Sequence, residues 1–360
     1  MVFYMKTSRE RQKKRDGLIK SIFEIGSEFW DIPLCTGTPT HLYLNDYSFF
    51  LSGRSALDFI IRDIQSQQQL SSVMLPSYCC ETMIAPFLAH GVSVSFYPVY
   101  LDGENHLVQE LPQQFICDAI LVMDYFGYAS GQSLPNYDGV VIRDVTHSVF
   151  SGIQTDADYI FGSLRKWAGF YTGGFARKCK GAFRLPVPQY TDEEYVRLRQ
   201  QAMAEKQKFL SGEITEKTHL SLFDNAEKQL DSVRCAGAAA EDIERLEQLD
   251  VLRLRQKRRE NAATLLQALS GLALFPVLGE SDCPLFVSIC VPDGKRDALK
   301  QHLIAQHIYC PAHWPISPLH KLTAQTQAVY DSELSIVCDQ RYGTEEMERI
   351  LSAFKNFYER

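Results

Sequence analysis

Residues 139–176 decide the fold of this chain. They read GVVIRDVTHSVF over residues 139–150 and, after a short gap, DYIFGSLRKWAGFYTGGFA over residues 158–176. Two short apolar runs, 140–142 and 159–161, each end abruptly in polar or small residues. Such runs are typical of buried parallel strands, so the stretch predicts two strands of an α/β sheet.

A carboxylate and an amine follow these two predicted strands. Asp144 comes at the carboxyl end of the first, where open α/β sheets place ligand-binding groups, and Lys166 follows the second. Together they indicate a pyridoxal phosphate (PLP) site, in which the acid keeps the pyridine nitrogen protonated and the lysine forms a Schiff base. Taken singly, an aspartate after a strand also fits a turn or cap, and a loop lysine also fits a solvated side chain. The pair Gly173-Gly174 then marks a place where the backbone passes close to another group.

Length and composition restrict the class of protein. The chain has 360 residues, enough for one large α/β domain and a smaller one. Its net charge of −7 favours neither nucleic acid nor an anionic membrane as a partner. No apolar run approaches the roughly 18–20 residues that span a bilayer, and the basic N-terminus lacks the apolar segment of a secretory signal. The ten cysteines show no repeated CxxC spacing, so we expect reduced thiols, no metal site and a cytoplasmic protein.

Three phrases carry a resemblance to a known family. They are DVTHS at residues 144–148, FGSLRKW at 161–167 and TGGFA at 172–176. This combination resembles the DegT/StrS-type aminotransferases, which are fold type I PLP enzymes best known for aminating nucleotide-linked keto-sugars. The resemblance implies an α/β fold with a mostly parallel central sheet flanked by helices and a smaller α/β C-terminal domain.

The same resemblance assigns roles to individual residues. Asp144 would pair with the pyridine nitrogen, and His147 would lie beside the ring. Lys166 would form the Schiff base and carry the proton during the reaction. Ser163 would bind the cofactor phosphate.

A turn before the first clear helix is a second candidate for the phosphate. Residues 53–55 read Gly-Arg-Ser and precede an amphipathic pattern over 56–64, whose start would offer free N–H groups to an anion. By resemblance, Gly53, Arg54 and Ser55 match a Gly-Thr-Ala-type turn that touches the PLP phosphate, with Arg54 in the place of a smaller residue. A simple helix cap by Ser52 or Ser55 explains this turn equally well.

Two further predicted strands end near the same site. Residues 73–76 form the first, and the family places a ring-stacking aromatic four residues later, where this chain has Cys80. Either Cys80 packs on the ring face or Tyr78 reaches it, and Tyr78 is also a candidate core residue. Residues 120–123 form the second strand, followed by Asp124 in the place of the family's histidine. Asp124 either faces the substrate or caps a turn.

Strands near residues 73, 93, 120, 140, 159 and 174 alternate with helical patterns, which predicts a mostly parallel sheet. We expect an N-terminal arm over 1–45 with a solvated helix at 8–17, a large PLP-binding domain over 46–245 and a small domain over 246–360. The apolar stripe over 241–269 predicts one long helix. By resemblance, Ser232 replaces an asparagine that reaches the phosphate of the neighbouring subunit.

The C-terminal part offers two candidate substrate contacts. His313 lies beside Trp314 in a proline-flanked turn, where it either faces the substrate or has a structural role. Arg341 either binds a substrate carboxylate or phosphate through its two-pronged guanidinium or pairs with Asp339.

These features predict a PLP-dependent aminotransferase. It would move an amino group from an amino acid, glutamate by expectation, to a nucleotide-linked keto-sugar in surface-polysaccharide or deoxysugar biosynthesis, as a homodimer with shared active sites. One alternative is a PLP enzyme of elimination or dehydration, against which Lys166 argues because the sugar dehydratases of this family carry histidine there. The other is a non-catalytic partner protein, which the substitutions at Cys80 and Ser232 favour.

Overall fold

The computed structural model describes residues 24–35, 46–114, 116–128, 134–135, 137–152, 156–232 and 235–359. The predicted helix over 8–17 and most of the predicted arm over 1–45 lie outside these ranges. The strands are β1 (Ile25–Gly26), β2 (Ser48–Phe50), β3 (Ser72–Pro76), β4 (Ser93–Tyr97), β5 (Val99–Leu101), β6 (Leu107–Gln109), β7 (Ala119–Met123), β8 (Val140–Asp144), β9 (Tyr159–Ser163), β10 (Gly174–Lys178), β11 (Phe286–Cys290), β12 (Ile308–Tyr309) and β13 (Glu333–Val337). The helices are α1 (Gly53–Gln65), α2 (Glu81–Ala89), α3 (Glu193–Ser211), α4 (Thr218–Ser232), α5 (Ala240–Glu247), α6 (Val251–Leu269), α7 (Arg296–Ile304), α8 (Ala324–Ser332) and α9 (Thr344–Tyr358).

A seven-stranded sheet with the order β2-β10-β9-β8-β7-β3-β4 forms the centre of the molecule. The five strands from β9 to β4 run parallel, as the alternating pattern predicts. Strand β10 runs antiparallel to both of its neighbours, so the sheet is mixed rather than wholly parallel. The α/β class is confirmed, and the two strands of the opening stretch, β8 and β9, are immediate neighbours.

Apolar sequence explains why the middle of this sheet is buried. Every residue of β7, which reads AILVM, is buried, as expected for a parallel strand covered on both faces. Helices α1 and α2 contribute buried side chains to the same core, among them Phe59, Ile60 and Phe87. None of the described helices is long and apolar enough to cross a membrane.

A second hydrophobic core lies in the C-terminal part. Strands β11 and β13 pair antiparallel, and their buried residues pack with those of α6, α7 and α9. Ile25 of β1 belongs to this core because β1 pairs in parallel with β12, Ile25 lying opposite Ile308. A segment that precedes the central sheet in sequence is therefore attached to the C-terminal part. The domain boundaries at residues 45 and 245 stay predictions.

The prediction of one long helix over 241–269 is wrong. Helix α5 ends at Glu247 and α6 begins at Val251. Between them the chain forms a bridge to residues 33–35: Leu249 pairs with Leu34, and the N–H of Asp250 donates to the carbonyl of Pro33 at 2.8 Å. The Asp250 carboxylate then accepts from the N–H of Arg253 and caps α6. Tertiary contact and a helix cap override the apolar stripe at this point.

Candidate active site

The ends of β8 and β9 form one wall of a deep cavity. Asp144 is the last residue of β8 and lies opposite Phe161 of β9, and Ser163 ends β9. A single 3₁₀ turn, Leu164–Lys166, then brings Lys166 over the same edge. The cavity has a volume of about 740 Å³, and we call it the strand-end cleft. Its lining includes Gly53, Arg54, Cys80, Asp144, His147, Ser163 and Lys166.

Lys166 carries the reactive amine of this cleft. Its Nζ lies 3.2 Å from Nε2 of His147. Burial lowers the pKa of Lys166 below its ordinary value, although the neighbouring Cys80 and Asp144 act in the opposite direction. A lysine with a lowered pKa is a better nucleophile near neutral pH, because more of it is unprotonated.

Asp144 is buried and held in a fixed orientation. The backbone N–H of Thr146 donates to its Oδ1 at 2.8 Å. Burial raises the pKa of Asp144 to about 6, while its contacts with Thr146 partly oppose this. A desolvated carboxyl of this kind gains from a cationic partner, and the cleft beside it has room for one.

His147 lies between Lys166 and an aromatic wall. Its ring is fully buried and stacks against Trp314 with 5.6 Å between the centroids. Burial and the nearby Lys166 lower the pKa of His147, so the ring is neutral near pH 7. Its buried Nδ1 has no hydrogen-bond partner among the described residues, which marks a polar group that a ligand could satisfy.

The start of α1 also lines the cleft. Ser52 caps this helix, its hydroxyl accepting from the N–H of Ser55 at 3.2 Å. Gly53 and Arg54 line the cleft, whereas Ser55 is fully buried and does not. Gly174 makes this approach possible, because a Cβ at that position would lie 2.0 Å from the carbonyl oxygen of Ser52.

Arg54 and a second arginine share an acidic partner. Arg54 Nη1 lies 2.7 Å from Asp231, and its Nη2 lies 3.7 Å from Glu227. Glu227 also forms an ion pair with Arg165, the residue before the lysine. Although burial acts against it, the charge of Arg165 lowers the pKa of Glu227 to about 2. Sequence reasoning missed Arg165 and Glu227 because no local pattern marks a pair 62 residues apart.

Cys80, rather than Tyr78, lines the cleft. Tyr78 is fully buried, and its hydroxyl donates to the carbonyl of His313 at 2.6 Å. Its ring packs against Tyr125, Trp314 and Tyr330. Tyr78 is therefore a core residue, as one of the two interpretations of the sequence has it.

Asp124 lies apart from the cleft. Its carboxylate accepts from Arg143 at 2.7 Å and from the hydroxyl of Ser148 at 3.2 Å. Arg143 is fully buried and also pairs with Asp156 at 2.8 Å. Asp124 thus neutralises a buried arginine, and it is not among the residues that line the cleft.

His313 and Arg341 line a neighbouring cavity of about 430 Å³, which we call the second cavity. Nδ1 of His313 lies 3.0 Å from the hydroxyl of Ser335. Arg341 donates through Nε and Nη2 to the two carboxylate oxygens of Asp339 at 2.9 and 2.8 Å. The side chain of Ser232, with Val233 and Arg234, lies outside the described residues.

Neither a model of a known protein family nor a curated protein sequence matches this chain. Solved structures do match. Spr1654 of Streptococcus pneumoniae in its PLP form, assigned as a sugar aminotransferase, has a TM-score of 0.60 at 15% identity, over 93% of this chain and 98% of that one. PseC of Helicobacter pylori, an aminotransferase of pseudoaminic acid biosynthesis, has a TM-score of 0.59 at 14% identity, over 93% and 100%. DesV of S. venezuelae, in complex with a ketimine intermediate, has a TM-score of 0.57 at 14% identity, over 98% of this chain and 96% of that one. The chain has the fold of these aminotransferases.

Proposed function

We propose that this protein is a PLP-dependent aminotransferase that moves an amino group from an amino acid, such as glutamate, to a keto-sugar. The observation that carries the proposal is the meeting of Lys166 and Asp144 in one cleft, at the ends of two neighbouring parallel strands. The fold shared with solved sugar aminotransferases supports the same conclusion.

The residues of the strand-end cleft fit PLP. Asp144 would hold the ring nitrogen, and the raised pKa of its buried carboxyl suits a pyridinium partner. Ser163 and the α1 start, with Gly53 and Arg54, would hold the phosphate. The unpartnered Nδ1 of His147 would gain a polar neighbour, and Cys80 would lie along the ring. When bound, PLP supplies an electron sink for the negative charge that develops at the donor's α-carbon.

Lys166 is the group that moves the proton in this proposal. Its amine would first hold the cofactor and, once displaced by the donor's amine, would remove the proton from the donor's α-carbon. The lowered pKa of Lys166 favours the unprotonated amine that this step requires. His147, neutral and 3.2 Å away, would orient that amine.

Asp144 would hold the ring nitrogen of the bound cofactor. An ionised carboxylate beside the ring nitrogen keeps that nitrogen protonated, which increases the stabilisation of the developing carbanion. The hydrogen bond from Thr146 fixes the direction of the carboxylate. Asp144 therefore serves the chemistry without itself exchanging a proton with the substrate.

The finer parts of the proposal need separate tests. They are a nucleotide-linked acceptor, a role in surface-polysaccharide or deoxysugar biosynthesis, a homodimer with shared active sites, and a cytoplasmic location. The mass of the protein in solution tests the homodimer. Elimination or dehydration, and a non-catalytic partner role, are the competing proposals. Lys166 in the cleft weighs against a sugar dehydratase, which by resemblance would carry histidine there, and against a non-catalytic partner.

The decisive experiment follows the absorption of the protein after addition of PLP. We expect a violet band in the wild type and in Lys180→Ala, an exposed control lysine, and no such band in Lys166→Ala. Glutamate should remove the band and release 2-oxoglutarate, and a nucleotide-linked keto-sugar should restore it. Absence of the band in the wild type would support the non-catalytic partner, and a donor product other than the keto acid would support elimination.

A further inference from the structure

The second cavity adjoins the strand-end cleft at Lys166, which lines both. The two cavities share three lining residues, namely Glu28, Arg165 and Lys166. If PLP occupies the cleft, as proposed above, a donor whose amine replaces that of Lys166 would lie next to the second cavity, because Lys166 lines both. The chemistry of that cavity therefore bears on the identity of the donor.

Most charges around the second cavity neutralise one another. Arg341 pairs with Asp339, and its remaining N–H groups donate to the carbonyls of Glu28 at 3.2 Å and Ser27 at 3.1 Å. Arg165 pairs with Glu227 outside the cavity. Glu28 lies 3.4 Å from Arg199. These pairs leave little net charge for a ligand.

Besides Lys166, two basic side chains of the cavity, Arg258 and Lys300, form no ion pair with a described acidic residue. Arg258 is fully buried, and it donates through Nε to Gln340 at 2.7 Å and through Nη1 to the carbonyl of Leu285 at 3.0 Å. Its buried Nη2 has no hydrogen-bond partner within the described ranges. Lys300 is half-buried on α7 and forms no ion pair with any described residue.

A buried cation without a direct ion pair is costly, because desolvation is not fully offset by an opposite charge. Burial lowers the pKa of Arg258 below its ordinary value even though the nearby charge of Asp339 raises it. An arginine with a free N–H beside an unpaired lysine is the arrangement that a carboxylate satisfies. His313, whose pKa is lowered by burial, and the apolar Phe286 also line the cavity.

We propose that the second cavity binds a carboxylate of an acidic amino-acid donor, with Lys300 and Arg258 supplying the positive charge. This inference rests on the proposed function and specifies its donor. Arg341, which the sequence suggests as a substrate ligand, instead holds the N-terminal segment that forms one wall of the cavity.

The test measures binding of glutarate, which has the two carboxylates of glutamate but no amine, to the PLP-loaded protein by isothermal titration calorimetry. We expect Lys300→Gln to weaken glutarate binding at least tenfold and Lys300→Glu to abolish it. Lys295→Gln is the matched control, because Lys295 precedes the same helix but is half exposed and lies near Asp293. It should bind glutarate like the wild type. Melting temperature and the violet band should be unchanged in all three variants.

A carboxylate could also belong to an acidic sugar acceptor, so D-glucuronate is titrated in parallel. If Lys300→Gln weakens glutarate binding, the assignment of the site to the donor is supported. If it weakens only glucuronate binding, the assignment to the donor is overturned. Equal glutarate affinity in wild type and Lys300→Gln overturns the site itself. If the violet band forms in either case, the proposed function stands and only this inference fails. If the band never forms, both fail together.

Discussion

The two cavities that Lys166 lines differ in where their other residues come from. The strand-end cleft takes Asp144, His147, Ser163 and Lys166 from one short stretch, because consecutive parallel strands end at the same edge of a sheet. The second cavity takes its wall from residues 26–29 and the rest from residues far along the chain, such as Lys300 and Arg341. Local sequence thus supplies the residues proposed for the reaction, whereas long-range packing supplies the surface that would choose the substrate.

Lys166→Ala should have the largest effect on the cleft side. Loss of the amine removes both the attachment of the cofactor and the group that moves the proton, so we expect transamination to fall by about 10⁴-fold or more. Glutarate binding in the second cavity should persist within a few-fold, because Lys300 and Arg258 remain. Single-turnover kinetics with glutamate and calorimetry with glutarate measure the two effects separately.

Lys180→Ala is the control for this change, since its amine is exposed and pairs with Asp158 at 2.8 Å. Near-wild-type turnover by Lys166→Ala would contradict the assignment of the reaction to the strand-end cleft, because the cleft would then not contain the reactive amine.

Asp144→Asn should give the next largest effect. The amide keeps the shape of the carboxylate but cannot hold a protonated ring nitrogen, so we expect kcat to fall roughly 10²–10³-fold. The KM for glutamate should change little, because the donor's carboxylate would lie in the other cavity. Steady-state kinetics over a range of glutamate concentrations separate kcat from KM.

The same variant should also differ from the wild type in its resistance to unfolding by urea. The folded-state pKa of Asp144 is raised to about 6, so the stability that its protonated form contributes is lost as the pH rises through that value. At pH 7.5 the cofactor-free Asn variant should therefore unfold at a urea concentration equal to or above that of the wild type. Asp224→Asn is the control, because Asp224 forms an exposed ion pair with Lys228. Its urea midpoint should equal that of the wild type.

Arg341→Gln tests the second cavity, because Arg341 lines that cavity and does not line the strand-end cleft. It removes the partner of Asp339, which is 4% exposed, and frees the carbonyls of Ser27 and Glu28. Leaving a buried carboxylate unpaired should cost about 3 kcal/mol in the free energy of unfolding. The affinity for PLP should stay within twofold of the wild type, while the KM for glutamate rises.

Arg197→Gln is the matched control, because Arg197 and Glu194 form an exposed pair one helical turn apart. Its unfolding free energy should change by less than about 0.5 kcal/mol. An equal loss of PLP affinity and glutamate binding in Arg341→Gln would mean that the two cavities are not independent.

The contrast between the cavities also explains how far sequence reasoning reaches. The strands β8 and β9, the helix α1 and the meeting of Asp144 with Lys166 follow from apolar runs and their polar ends, which are local signals. The break at Leu249 does not, because it depends on a bridge to Leu34 more than 200 residues earlier. No local pattern distinguishes such a position from the next turn of a helix.

The partners of charged residues were equally beyond a local interpretation. Asp124 follows a strand just as Asp144 does, yet it pairs with the buried Arg143. Which of the two acids reaches the cleft depends on side-chain direction at neighbouring strands, and a single sequence does not give that. The wall formed by residues 26–29 depends on the pairing of β1 with β12, which likewise has no sequence signal.

The smallest expected effect concerns the pH dependence of cofactor binding. It distinguishes the strand-end cleft from the second cavity, because only the cleft contains Asp144. The pKa of Asp144 in the cofactor-free protein is raised to about 6 by burial, so below that pH the carboxyl is neutral. Binding a protonated pyridine ring beside it then requires loss of a proton, and the affinity for PLP should fall about tenfold for each pH unit below 6. Glutarate affinity should not follow this curve, because Asp144 does not line the second cavity.

The phosphate of PLP also titrates near pH 6, so the wild-type profile alone does not isolate Asp144. Asp144→Asn retains the phosphate and lacks the carboxyl, and the difference between the two profiles belongs to Asp144. Fluorescence titrations with PLP between pH 5 and 7.5 should show a steeper loss of affinity in the wild type than in the variant. Identical profiles would mean that the carboxylate does not face the ring nitrogen. The assignment of chemistry to the cleft would then rest on Lys166 alone.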